Sequence, residues 1–95
     1  MKALQKDIAL FLKEKNWADQ YMYKKDLAIS ISLEAAELLE CFQWKSTEEA
    51  VSENQEAILE EVADVMIYAL QLIDSLGEDA AEVISKKLEK NRRRF

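Results

Sequence analysis

Apolar residues recur along this chain at helical spacing almost from end to end. Leu4, Ile8, Phe11 and Leu12 form one stripe, with Lys6, Lys13 and Glu14 elsewhere on the wheel, which predicts a first helix over Lys2–Lys15. Asn16 to Gln20 loses the pattern and reads as a connection. A second helix is predicted over Lys25–Trp44, with Asp26 as its N-cap. It is apolar around most of its circumference, from Leu27, Ile29 and Ile31 through Leu33, Leu38, Leu39 and Phe42. A helix of that kind is buried in the molecule or in an oligomer. Ser46-Thr47-Glu48-Glu49 and Ser52-Glu53-Asn54-Gln55 are successive capping boxes. They predict a short helical turn over 47–52 and a third main helix over 53–75. Gly77 supplies its stop, and Asp79-Ala80-Ala81-Glu82 opens a fourth helix through about Arg93.

Composition strengthens this reading. The 95 residues include no proline and one glycine, too few turn formers for sheets and long loops. The fold class is therefore all-α. Short connections make neighbouring helices antiparallel, so the expected architecture is a four-helix bundle in a single domain spanning 1–95. Helix two is too apolar for a chain of this size to cover alone, which predicts a homo-oligomer, at least a dimer.

Charge and sequence extremes narrow the partners. The net charge of −6 disfavours charge-driven binding to nucleic acid or anionic lipid. No apolar run approaches the ~20 residues that cross a bilayer, and Met1 to Asp7 does not read as a signal peptide. The single Cys41 cannot form an internal disulfide and reads as a small hydrophobe, so a cytoplasmic location is expected.

Four acids do not fit a plain bundle. On a helical wheel Glu34 falls inside the apolar arc of Leu27, Ile31, Leu38 and Phe42, and Glu37 borders it. On helix three, Glu61 and Asp64 share a face that continues as Val65, Tyr68 and Leu72. Each pair has i, i+3 spacing, which brings side chains together on a helix surface. A single Glu-x-x-Glu is usually a solvated face, but two pairs on apolar arcs of adjacent helices are not. Four carboxylates meeting in a bundle repel one another unless a divalent cation sits among them. Oxygen-only ligands select Mg²⁺, Mn²⁺ or Ca²⁺ over zinc, and the absence of histidine excludes the Glu-x-x-His di-iron arrangement.

Glu34-Ala35-Ala36-Glu37, the following Phe42-Gln43-Trp44, and Glu61-Val62-Ala63-Asp64 with Tyr68 together resemble the MazG-type all-α nucleoside triphosphate pyrophosphohydrolases. The likeness is to their small single-domain branch, related to dCTP pyrophosphatase, and the closing Lys87 to Phe95 supports it. The segment from Trp17 to Glu34 is longer than in that branch and lacks its usual proline. The resemblance implies Mg²⁺-dependent hydrolysis of the α–β phosphoanhydride of (deoxy)nucleoside triphosphates, with Mn²⁺ as an alternative ion. It also implies dimers or tetramers with sites near subunit interfaces, and a role in cleaning nucleotide pools. Glu34, Glu37, Glu61 and Asp64 match the metal-binding acids. Trp44 and Tyr68 match base- or sugar-side positions, with Trp17 near another, and Lys87 and Asn91 match phosphate-side positions.

In residue terms, one acid not fully engaged by the metal can orient or deprotonate the attacking water. Glu37 comes first for that role, and Glu34 is equally arguable. Trp44, seven residues after Glu37, would lie about two turns and ~10 Å on along the helix, a reach that suits a base and places dCTP among the better substrates. The basic C-terminus also has a plain explanation, since cations suit a helix C-terminus, and the tryptophans could be packing anchors. The competing reading is a non-enzymatic oligomeric helical module, or a divalent-cation binder without turnover.

Overall fold

The structure, a computed structural model, describes residues 1–95 apart from the side chains of Tyr21 and Met22. Four α-helices follow in order: α1 over Lys2–Glu14, α2 over Lys24–Glu40, α3 over Thr47–Ser75 and α4 over Ala80–Arg94. A short 3₁₀ helix, Ala18–Met22, lies between α1 and α2. No strand occurs among the described residues, in agreement with the all-α reading.

Local chemistry explains where the helices stop and start. Past α3, Gly77 takes φ +75°, and the Gly77 and Glu78 N–H groups donate to the Asp74 and Ile73 carbonyls at 2.9 and 3.3 Å. This Schellman closure is the stop expected of Gly77. Asn16 closes α1 the same way: it takes φ +60°, its N–H donates to the Lys13 carbonyl and that of Trp17 to Leu12 at 2.7 Å. Asparagine tolerates the left-handed region better than other side-chain-bearing residues. At the helix starts, Ser46 Oγ accepts from the Glu49 N–H at 3.2 Å and an Asp79 carboxylate oxygen from the Glu82 N–H at 3.1 Å.

Four boundaries differ from the sequence reading. The Asn16–Gln20 connection runs into the 3₁₀ helix, and Tyr23, not Asp26, is the N-cap residue of α2. Helix α2 ends at Glu40, so Trp44 stands outside it in a turn, at φ +63°. The two segments expected at 47–52 and 53–75 are one helix with a kink at Asn54, where φ is −121° and ψ 20°. The second capping box does not restart the chain. Instead the Asn54 Nδ2 donates to the Cys41 carbonyl at 2.9 Å, tying the kink to the α2–α3 turn. Lys45 and Glu53 form an ion pair beside it.

The packing has two parts. Helices α2 and α3 run antiparallel along each other, as successive meetings show: Cys41 with Asn54, Glu34 with Glu61 and Asp64, and Ser30 with Tyr68. On the other side of α3, Ile8 and Leu12 of α1 join Leu70, Ile73 and the first residue of α4, Ala80, in a small core. Buried Gln5 locks this junction. Its Nε2 donates to Asp74 Oδ1 and the Glu78 carbonyl at 3.2 and 3.1 Å, and its Oε1 accepts the Ala80 N–H at 3.0 Å. Past Ala80, residues 81–90 of α4 are all exposed. The radius of gyration is 15.5 Å, against about 12 Å for a compact domain of this length. No described helix is long and apolar enough to cross a membrane.

Candidate metal centre and the adjoining cleft

Antiparallel packing of α2 on α3 brings the two acid pairs to one place. Glu34, Glu61 and Asp64 each offer a carboxylate oxygen, and these oxygens lie within 4.8 Å of one another. All three residues are half-buried, while Glu37 is exposed. Glu37 nevertheless engages the group. Its hydrogen bond with Glu34 is the main reason that the Glu34 carboxyl is pushed up to about 7, followed by burial and by the charges of Glu37, Asp64 and Glu61. Glu61 is also raised, first by burial, then by Glu37 and the charge of Asp64, while its hydrogen bond with Glu34 works the other way. Like charges this close cannot all ionise freely.

One oxygen each of Glu34 and Glu61 is buried and has no hydrogen-bond partner. Buried carboxylate oxygens are normally satisfied. Three converging carboxylates, two with an orphaned oxygen, are the donor set of a hard divalent cation. The residues present therefore fit a metal of the kind expected of this site.

Beside the acids lies an open cleft of about 220 Å³. Among the described residues it is lined by Gln20, Tyr23, Asp26, Leu27, Ser30 and Tyr68. Ser30 is one helical turn before Glu34, and Tyr68 one turn after Asp64, so the cleft continues from the acid cluster. Tyr68, expected on the base or sugar side, is one of the residues lining this cleft. Gln20, Tyr23, Asp26 and Ser30 carry no sequence signal for this cleft, because their approach depends on the 3₁₀ helix and on how α2 packs on α3. Asp26, expected as a cap, instead faces this cleft.

The other expected site residues are elsewhere. Trp44 is 94% exposed, past the far end of α2. A bulky residue in the left-handed region is strained, and such strain persists where its surroundings hold it. Here the Asn54 hydrogen bond and the Lys45–Glu53 pair flank the turn. Trp17 packs edge-on against Phe11, ring centroids 5.9 Å apart, and neither lines the cleft nor joins the acids. Lys87 is exposed on α4 and Asn91 half-buried further along, and neither belongs to the cleft or the acid cluster of the same chain.

Comparison with known proteins adds to this geometry. A solved pyrophosphatase from Archaeoglobus fulgidus superimposes with a TM-score of 0.88 at 37% identity, over 100% of this chain and 91% of that one. The dCTP pyrophosphatase 1 of Bos taurus is 35% identical over 92 residues, 92% of this chain. The Homo sapiens protein of the same name is 32% identical over the same length. The chain spans about half, 54%, of the length of these curated relatives. The family model described as MazG-like matches residues 29–95, which include both acid pairs. The chain belongs to the MazG-like family.

Proposed function

We propose that this protein is a Mg²⁺-dependent nucleoside triphosphate pyrophosphohydrolase, cleaving (deoxy)nucleoside triphosphates, dCTP among the better ones, to the monophosphate and pyrophosphate. The observation that carries this reading is the convergence of two acid pairs from antiparallel helices, with buried carboxylate oxygens left unpaired. The similarity to proteins named as pyrophosphatases supports it.

Glu34, Glu61 and Asp64 would hold Mg²⁺ or Mn²⁺. When bound, the ion neutralises the charge that develops on the phosphates. Glu37 is the exposed acid outside the tight trio, which suits it to orient or deprotonate water. Glu34 is the alternative base. The water oxygen forms a bond to the α-phosphorus, the bond from that phosphorus to the bridging oxygen breaks, and pyrophosphate leaves. Tyr68 packs beside the sugar.

We further propose a homo-oligomer. Leu33 and Leu39 on α2 are 62% and 69% exposed, and Val83, Ile84 and Leu88 form a separate exposed apolar stripe along α4. Burying such surface drives association. Lys87 and Asn91 would then reach substrate phosphates across the interface. A cytoplasmic enzyme that cleans nucleotide pools accords with this reading.

Incubation with each nucleoside triphosphate and Mg²⁺ tests the reaction. Pyrophosphate and monophosphate are expected. Diphosphate with orthophosphate would place attack at the γ-phosphorus. No hydrolysis at all would leave a helical binding module.

A further inference from the structure

The cleft beside the acids holds five polar side chains, and they do not have equal power to discriminate. The Gln20 amide can donate or accept. The hydroxyls of Tyr23, Ser30 and Tyr68 can do the same. Each can serve an amino group or a carbonyl by rotating. The Asp26 carboxylate accepts only. It is the described group of this cleft whose chemistry cannot adapt to either edge.

Its placement gives that asymmetry a use. With phosphates at Glu34, Glu61 and Asp64, the cleft lies to one side, beginning one turn away at Ser30 and Tyr68. Asp26 is eight residues before Glu34, ~12 Å along the axis of α2. A nucleoside extending from the phosphates along this cleft passes Tyr68 and brings its base towards Asp26. Cytosine and adenine carry an exocyclic amino donor on that edge, where thymine carries a carbonyl acceptor. Uracil carries the same carbonyl.

Resting on the triphosphate reading above, we infer that Asp26 selects the base, accepting a hydrogen bond from the exocyclic amino group of cytosine or adenine and disfavouring thymine and uracil. A keto base sets its O4 against the carboxylate oxygens and replaces an amino donor with a repelling acceptor, leaving only the ring N3–H to donate. Sites built around a polar partner reject the analogue lacking it far more strongly than apolar pockets reject a change in size. Asp26 is exposed and makes no cap, so its side chain is not committed to holding α2.

The test compares kcat/KM for dCTP, dATP, dTTP and dUTP with Mg²⁺ in the wild type and in Asp26→Asn. The amide keeps the shape but can turn its NH₂ towards a carbonyl. The wild type should favour the amino-bearing pair by about 10-fold or more. Asp26→Asn should move that ratio at least about 10-fold towards dTTP and dUTP, through KM more than kcat. An unchanged ratio with hydrolysis intact overturns the assignment of Asp26 and leaves the pyrophosphohydrolase reading standing. Absence of hydrolysis by the wild type overturns both. If Asp26→Asn is inactive on all four nucleotides, calorimetric binding of dCMP against dUMP reads the same ratio, and equal ratios in the two proteins overturn the inference.

Discussion

Trp44 and Tyr68 lie on opposite sides of the acid cluster. Tyr68 follows Asp64 by one turn towards the cleft shared with Ser30 and Asp26. Trp44 follows Glu37 in the other direction, because α2 and α3 are antiparallel, and sits beyond the α2 C-terminus near Cys41 and Asn54. Their separation along the helix axes is on the order of 20 Å. They therefore cannot sandwich one nucleoside within one chain. Tyr68→Ala should raise KM, and Trp44→Ala should do so by removing a ring that reaches substrate on a neighbouring subunit of the proposed oligomer. Their effects on kcat/KM, expressed as free energies, should add within about 0.5 kcal/mol in the double variant. Steady-state kinetics on the three variants checks this. Strong non-additivity would mean that the rings meet on the same group, and an unchanged KM for Trp44→Ala would take Trp44 out of the substrate site.

The acid assignment predicts loss of turnover without loss of fold. Glu61→Gln and Asp64→Asn should each lower kcat/KM by about 10²-fold or more, the scale of removing one electrostatic stabiliser of a transition state. Helical circular dichroism should be preserved, because removing a like charge from a crowded cluster relieves repulsion. Wild-type turnover in either variant would remove that residue from the site.

Metal-free protein should lose stability as pH rises. The Glu34 carboxyl sits at about 7 in the folded chain against an ordinary 4.5. The folded state therefore holds this proton more tightly than the unfolded state. The stability this adds is fully present below 4.5 and is lost as pH climbs through about 7. Thermal unfolding in chelator should show Tm falling between about pH 5 and 8. Mg²⁺ should raise Tm most at the upper end, where the carboxylates are ionised, and Glu34→Gln should flatten the metal-free profile. A metal-free Tm that rose across this range would contradict the burial and crowding described for Glu34.

Gln5 is the polar lock between α1 and the α3–α4 turn. Gln5→Leu strips the Ala80 N–H and the Glu78 carbonyl of their side-chain partner. Leaving a buried donor unpaired costs about 1–3 kcal/mol, and each kcal/mol lowers Tm by roughly 4–8 °C in a domain of this size. Differential scanning calorimetry should show the drop. A Tm within about 2 °C of wild type would mean that water replaces the glutamine without loss.

The exposed apolar faces of α2 and α4 predict self-association. Light scattering at micromolar concentration should give a mass at least twice the 11.0 kDa of one chain. A clean monomer would sink the oligomer and, with it, delivery of Lys87 and Asn91 to the acids across an interface.

Helix number, the Gly77 stop and the Ser46 and Asp79 caps are legible in sequence because they are local, set by side chains a few residues from the backbone groups they satisfy. The acid pairs were legible for a related reason: i, i+3 carboxylates on an apolar arc are out of place wherever the helix packs. What only the packed molecule decides depends on contacts between distant residues. Asn54 spends its side chain on the Cys41 carbonyl thirteen residues away, so a segment that reads as a new cap becomes a kink. Helix α2 stops at Glu40, short of the Trp44 that the apolar pattern reaches, and the turn beyond it is tied to α3 through Asn54. Gln5 reads as an ordinary polar residue until Ala80 and Asp74, each more than sixty positions away, arrive to bond it. The cleft at Asp26 has no periodicity of its own, because three separate segments form it and only their packing brings Gln20, Asp26 and Tyr68 to one surface.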